Sequence, residues 1–261
     1  MPFRGAKYSR RNILTQGNEG VIFRDLLRGM RALQDFILAL PVLVFSVVAH
    51  EYAHGYAALK QGDDTALMAG RLTLNPLPHI DPLFTLIMPA VLWYASHGTF
   101  VFGGAKPVPV RPDRYRNFRR GDIIVSLAGI ATNLVIMLLC VALFIGVGVL
   151  ARSLPAAHAV FGTAQRMLFW GVVLNLMLAF FNLIPLPPLD GSHVIYHVLP
   201  AGVRERYRAF QRLGFLPLML IMFVFPRVIQ VLLTPAYAGV ALFLRLAAPF
   251  AVGTSWNIFP A

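Results

Sequence analysis

The sequence predicts an all-α polytopic membrane protein of about five transmembrane helices, with a re-entrant segment and short extended strands beside a polar site. Three observations predict it. Of the 261 residues 57% are hydrophobic and 13% charged, against about 25% charged in a soluble domain. Apolar stretches of about 20 residues, the length that crosses a bilayer, recur along the chain. The basic residues gather at the ends of those stretches: Arg111, Arg114, Arg116, Arg119 and Arg120 before one, Arg204, Arg206, Arg208 and Arg212 before another. That is the charge pattern of cytoplasmic loops, so the net charge of +12 points to membrane lipid as a partner. It does not point to nucleic acid, because no basic patch with interleaved aromatics lies on a soluble domain.

The elements follow in order. Residues 1–20 read as a basic, flexible tail, too polar to be a cleavable signal peptide. From Val21 to Leu33, Ile22, Phe23, Leu26, Leu27, Met30 and Leu33 recur at helical spacing, with Arg24, Asp25, Arg28 and Arg31 between them. This is an amphipathic helix, lying either on the membrane surface or against the protein itself. Apolar spans follow at 36–60, 122–150, 166–186, 213–233 and 237–252. Pro82 to Ser96 is apolar but short and contains Pro89. Gly- and Pro-rich connections occupy Gly70–Asp81 and Gly103–Pro112. The expected division is an N-terminal unit over 1–35, a core over 36–200 and C-terminal transmembrane helices over 201–261. Cys140, the single cysteine, has no partner for an internal disulfide and reads as packing.

Chemistry concentrates in the first span, which runs SVVAHEYAHGYAA. His50 and His54 are four residues apart, so on a helix they share a face and can meet at one metal ion, with Glu51 beside them as general base. Ionisable groups near the centre of a membrane helix cost about 2.5–3.5 kcal/mol on insertion scales and are therefore usually functional. A catalytic zinc needs a third protein ligand and an open position for water. Zinc lowers the pKa of that water to about 7, so Glu51 can take its proton at neutral pH and later deliver one to the departing amine. The best candidate for the third ligand is Asp190 in FNLIPLPPLDG. Pro185, Pro187 and Pro188 stop the preceding helix, and unwound backbone at membrane depth is tolerated where it lines a cavity. Alone, Asp190 could equally cap the next helix; beside HExxH the ligand reading is favoured.

HEYAH followed by NLIPLPPLDG resembles the site-2 protease family of intramembrane zinc metalloproteases. GRLTLNPLPHIDP at 70–82, FGGAKPVPV at 102–110 and SLAGIATN at 126–133 are similar to its compact bacterial members, so the likeness covers most of 36–200. It implies one Zn2+ held by His50, His54 and Asp190, Glu51 as the catalytic residue, and Asn182 near the site. It also implies a transmembrane protein substrate and a bacterial inner-membrane location. The family commonly has proline where Ile130 stands, an aromatic residue where Gly104 stands and glycine where Phe84 stands. None of these is a ligand, so the departures concern substrate handling rather than zinc.

Geometry adds a demand. His50, His54 and Asp190 lie toward the C-terminal ends of their helices, so they converge only if those helices run in the same direction. An odd number of crossings must separate them; the 122–150 span supplies one, and 82–96 is therefore expected to be re-entrant. The positive-inside rule then favours a site near the cytoplasm, although the basic N-terminal tail falls on the other face.

A substrate helix hides its scissile carbonyls in its own hydrogen bonds and must unwind. Gly70–Asn75 and Ala105–Val110 are either strands that pair with it or plain loops. Asn182 and Asn133 either hydrogen-bond the substrate backbone and developing oxyanion or tie helices together; the site role is favoured for Asn182 and left open for Asn133. Asn175 reads as a bridge between helices. His79 and Asp81 read as structural, and His193 and His197 as surface histidines without a flanking carboxylate. The rival reading is a non-proteolytic metal binder or ion transporter of the membrane. No PDZ-like domain is visible, so substrate selection falls to the membrane portion or to partners. The oligomeric state stays open.

Overall fold

The computed structural model describes residues 10–95 and 104–252. They form helix α1 (Arg10–Gln61), two short helices α2 (Thr65–Met68) and α3 (Met88–Ala95), and the long helices α4 (Phe118–Ser153) and α5 (His158–Asn182). Then come α6 (Asp190–Val198), α7 (Ala201–Gln211), α8 (Leu216–Val224), α9 (Pro226–Leu232) and α10 (Thr234–Ala247). The chain divides into two compact units, 1–38 and 39–261. From Arg10 the expected tail is helical, and the chain stays helical without a break through the first span to Gln61.

Leu33–Gln61, Phe118–Ser153 and Pro155–Asn182 are each long and apolar enough to cross a membrane. Two bent pairs, Ala201–Gln211 with Leu216–Val224 and Pro226–Leu232 with Thr234–Phe250, raise the candidate spans among the described residues from three to as many as five. The single span expected at 213–233 is broken. Pro226 has no N–H to continue the helix, and Phe225 before it leaves helical geometry at φ −128°, ψ 55°. The nine residues of α8 rise only about 14 Å, roughly half of a hydrocarbon core.

Pro82–Ile87 forms a short π-helical turn that runs into the eight-residue α3. The pair falls short of a bilayer-spanning length. Its start is capped reciprocally: the Asp81 N–H donates to the Thr85 hydroxyl (2.9 Å) and the Leu83 N–H to the Asp81 carboxylate (2.9 Å). No β-strand occurs among the described residues, so the strands expected at Gly70–Asn75 and Ala105–Val110 do not form. Their backbone donors go elsewhere. The Lys106 N–H donates to the His79 carbonyl and the Val108 N–H to Glu51, and just past the segment the Arg111 N–H donates to Asp63.

The main apolar core sits where α4, α5 and α10 meet, around Phe144, Phe169, Val172 and Phe243. Small residues permit the close approach: a methyl group at Gly171 would stand 2.5 Å from the Cys140 sulfur. Cys140 is accordingly buried in the core as packing. Asn175 ties α5 to α1, donating to the Ser46 hydroxyl at 2.8 Å.

Candidate metal centre

On α1, His50 and His54 project from one face, and the Asp190 carboxylate reaches them from the first residue of α6. The two Nε2 atoms are 2.9 Å apart, and Asp190 Oδ2 lies 3.2 Å from His50 Nε2 and 3.3 Å from His54 Nε2. These three residues form the one cluster of potential metal ligands among the described residues. A tetrahedral zinc with bonds of about 2.0–2.1 Å sets its ligand atoms about 3.3 Å apart, so the triangle is of the size zinc requires. His50 is 6% exposed. A buried carboxylate facing two imidazole nitrogens this closely is a donor set that a cation completes.

Helix α4 builds the back of the centre. The Val125 carbonyl accepts a hydrogen bond from His54 Nδ1 at 2.7 Å, which fixes the tautomer and leaves the Nε2 lone pair facing His50 and Asp190. Four residues on, Gly129 makes room: a methyl group there would stand 2.5 Å from His50 Cε1 and 2.6 Å from both Nε2 atoms. One turn further, Asn133 is fully buried, and neither its amide nitrogen nor its oxygen has a hydrogen-bond partner. Such an orphaned amide is rare in folded proteins and is suited to a polar group that arrives from outside. Asn182, at the last turn of α5, donates to the Leu178 carbonyl of its own helix at 2.9 Å, which leaves its second amide hydrogen free of that bond.

Glu51 is not left loose beside the histidines. Its Oε2 accepts the Val108 N–H at 2.7 Å. No sequence pattern signals this contact, because the donor is backbone from a segment 57 positions away. Gly55 admits that segment: a methyl group there would meet Val108 Cγ1 at 3.0 Å and Ala66 Cβ at 3.1 Å.

The expectation that His193 and His197 are surface histidines holds for His193, whose side chain is 46% exposed, and is corrected for His197. His197 is 3% exposed and its Nε2 lies 2.7 Å from Asp122 Oδ2; His193 Nδ1 lies 3.4 Å from Asp122 Oδ1. Their carboxylate comes from another helix, where local spacing could not reveal it. The hydrogen bond to Asp122 raises the His193 pKa above 6.5 against the opposing effect of burial. His79 is structural: it is 1% exposed, with Nε2 3.0 Å from the Thr73 carbonyl.

The sequence profile of peptidase family M50 matches residues 38–225. The chain belongs to peptidase family M50, the site-2 protease family. It is 38% identical over 184 residues to a Bacillus subtilis protein named "Putative zinc metalloprotease YwhC", covering 70% of this chain and 78% of that one. It is 33% identical over 195 residues to "Putative zinc metalloprotease Rip2" of Mycolicibacterium smegmatis, covering 75% and 70%. No solved structure matches. This M50 peptidase is therefore a zinc metalloprotease and an integral membrane protein, with zinc as its cofactor and proteins as its substrates.

Proposed function

We propose that this metalloprotease cleaves peptide bonds within or beside transmembrane segments of other membrane proteins, in the bacterial cell membrane. In this reading His50, His54 and Asp190 hold the zinc ion and Glu51 is the catalytic base. The observation that carries it is the ligand triangle, 2.9, 3.2 and 3.3 Å on its sides, built on an apolar helix long enough to span a membrane.

Bound at the triangle, zinc supplies Lewis acidity, which polarises the scissile carbonyl and makes water acidic enough to attack at neutral pH. Everything else is done by the chain. Val108 holds one oxygen of Glu51, which aims the other toward the attacking water. Glu51 takes the proton as water adds to the carbonyl and passes it to the amine as the C–N bond breaks. Asn133 and Asn182 offer amide hydrogens to the developing oxyanion or to the unwound substrate backbone.

An apolar cavity of about 300 Å³ supports the approach of a membrane-embedded segment. It is lined by Val44, Val47, Leu174, Met177, Phe181 and Met222 among others, and Val47 stands one turn before His50.

The decisive experiment is Glu51→Gln with a transmembrane reporter substrate. Abolished cleavage with zinc still bound is expected, and retained cleavage sinks the mechanism. Asp190→Asn is expected to lower zinc content and activity together; if both survive, Asp190 is not a ligand. Zinc or ion flux that persists in Glu51→Gln would favour a transporter instead.

A further inference from the structure

We infer that Asp63 is a positioning residue for Glu51, acting through the segment 106–111. The inference rests on the reading of Glu51 as catalytic base.

Helix α1 ends in a paired cap. Gly62 takes φ +112°, its N–H donates to the Leu59 carbonyl at 3.1 Å, and the Asp63 N–H donates to the Ala58 carbonyl at 3.0 Å. This is the helix-ending turn in which a left-handed glycine reverses the chain. It carries Asp63 into a fully buried position. A buried carboxylate must be hydrogen-bonded, and this one is satisfied by groups flanking the turn and by a distant strip of backbone. Oδ1 accepts the Thr65 N–H (3.0 Å) and hydroxyl, while Oδ2 accepts the Arg111 N–H at 2.6 Å. The neighbouring Asp64, which is exposed, takes the Arg114 guanidinium at 2.8 Å. Asp63 is thus committed to holding chain rather than to an ion pair.

Three residues before Arg111 lies Val108, whose N–H holds Glu51. Pro107 and Pro109 flank it, so its N–H is the only backbone donor at 107–109. Pro109 also stiffens the link from Val108 to Arg111, and Pro107 the link from Lys106 to Val108. The far end of the segment is fixed as well: the Lys106 N–H donates to the His79 carbonyl at 2.8 Å, and the Lys106 carbonyl accepts from Arg71 at 2.7 Å. A strip anchored at both ends and rigid in its middle transmits the position of Asp63 to the carboxylate of Glu51. Both Glu51 and Asp63 belong to the same stretch of chain, so the segment acts as a splint laid along the end of α1.

The test uses the full-length protein with a transmembrane reporter substrate, reading kcat, KM and zinc content. Asp63→Asn turns an N–H toward one of the donors that the carboxylate now accepts. The expected result is a fall in kcat of about 10–100-fold, the scale of a misplaced catalytic group, with KM and zinc content unchanged. Val108→Pro removes the donor itself and is expected to give the same split. The double variant is expected to fall no further than either single one, since both break one connection. Wild-type kcat in Asp63→Asn overturns the inference, as does zinc loss alongside the fall or multiplication of the two effects. If Asp63→Asn does not fold, Val108→Pro decides alone, and wild-type kcat there overturns it. Glu51→Gln run in parallel separates the two levels. Cleavage retained in Glu51→Gln removes the base itself. Cleavage lost there but intact in Asp63→Asn and Val108→Pro removes only the positioning role.

Discussion

At the scale of single residues, the centre combines side chains that a sequence announces with backbone and absences that it does not. His50 and His54 are legible because four-residue spacing on a helix brings two side chains to one point whatever the rest of the fold does. Gly129 is not legible in the same way. Its contribution is the lack of a side chain, and only the packing of α4 on α1 gives that lack a meaning. Gly129→Ala is therefore expected to abolish zinc binding, because its methyl carbon would overlap both imidazoles at 2.5–2.6 Å. Metal analysis of the purified variant checks this; full zinc occupancy would show that the helices part more easily than close packing permits. Asp63 makes a prediction about pH. Burial pushes its pKa up, but hydrogen bonds from Thr65 and Arg111 outweigh that and hold it below 3.8. A lowered native pKa means the contribution is complete above the unfolded value and is lost as pH falls through the native one. Wild type should therefore lose stability on acidification below the ordinary carboxylate range, and Asp63→Asn should lose less over the same interval. Equal acid sensitivity of the two proteins in thermal melts would contradict this.

Among the elements, α4 does the most to assemble the centre. Asp122, Val125, Gly129 and Asn133 form one buried stripe on it, spaced so that successive members share a face. Asp122 holds α6 through His197 and His193, Val125 holds His54, and Gly129 admits both imidazoles. From sequence this helix reads as a span carrying Asn133 and the SLAGIATN stretch, with nothing to link Asp122, Val125 and Gly129 to the histidines. The stripe is invisible to periodicity because a membrane helix is apolar all round, so its inward face carries no contrast. A related blindness explains 213–233, where a mostly apolar composition outweighed the break that Pro226 and Arg227 mark. Asp190 depends on how α6 is seated, which gives Asp122 a measurable influence on metal affinity. Asp122→Asn leaves His197 buried beside a weaker partner. The zinc dissociation constant is expected to rise about 10-fold, the lower end of what outer-shell losses produce. Competition against a chelator measures it. An unchanged constant would mean that the proline-rich turn 185–188 seats α6 without help.

For the molecule as a whole, convergence of the ligands constrains how the chain threads the membrane. His50 and His54 lie near the C-terminal end of α1, and Asp190 follows the end of α5. Their meeting requires those two ends to share a face of the membrane. Between them, α4 and α5 are each long enough to cross, whereas the helical pieces from Pro82 to Ala95 are too short. Two full crossings return the chain to the same side, which agrees with the meeting of the ligands; a third would separate them. The sequence carried this parity because it rests on counting spans, which composition reveals, rather than on contacts, which it does not. Single cysteines in a Cys140→Ala background test it. Leu77 and Val203 are exposed before and after the two crossings, and Leu154 is exposed between them. Cysteines at 77 and 203 should react with an impermeant thiol reagent from one side of sealed vesicles, and a cysteine at 154 from the other. On the positive-inside reading of the basic residues at 111–120 and 204–212 the shared side is cytoplasmic, and intact cells are then expected to label 154 alone. Labelling of 77 and 203 from opposite sides would make 82–95 a crossing segment, and the ligands could then no longer be brought together by two parallel helices.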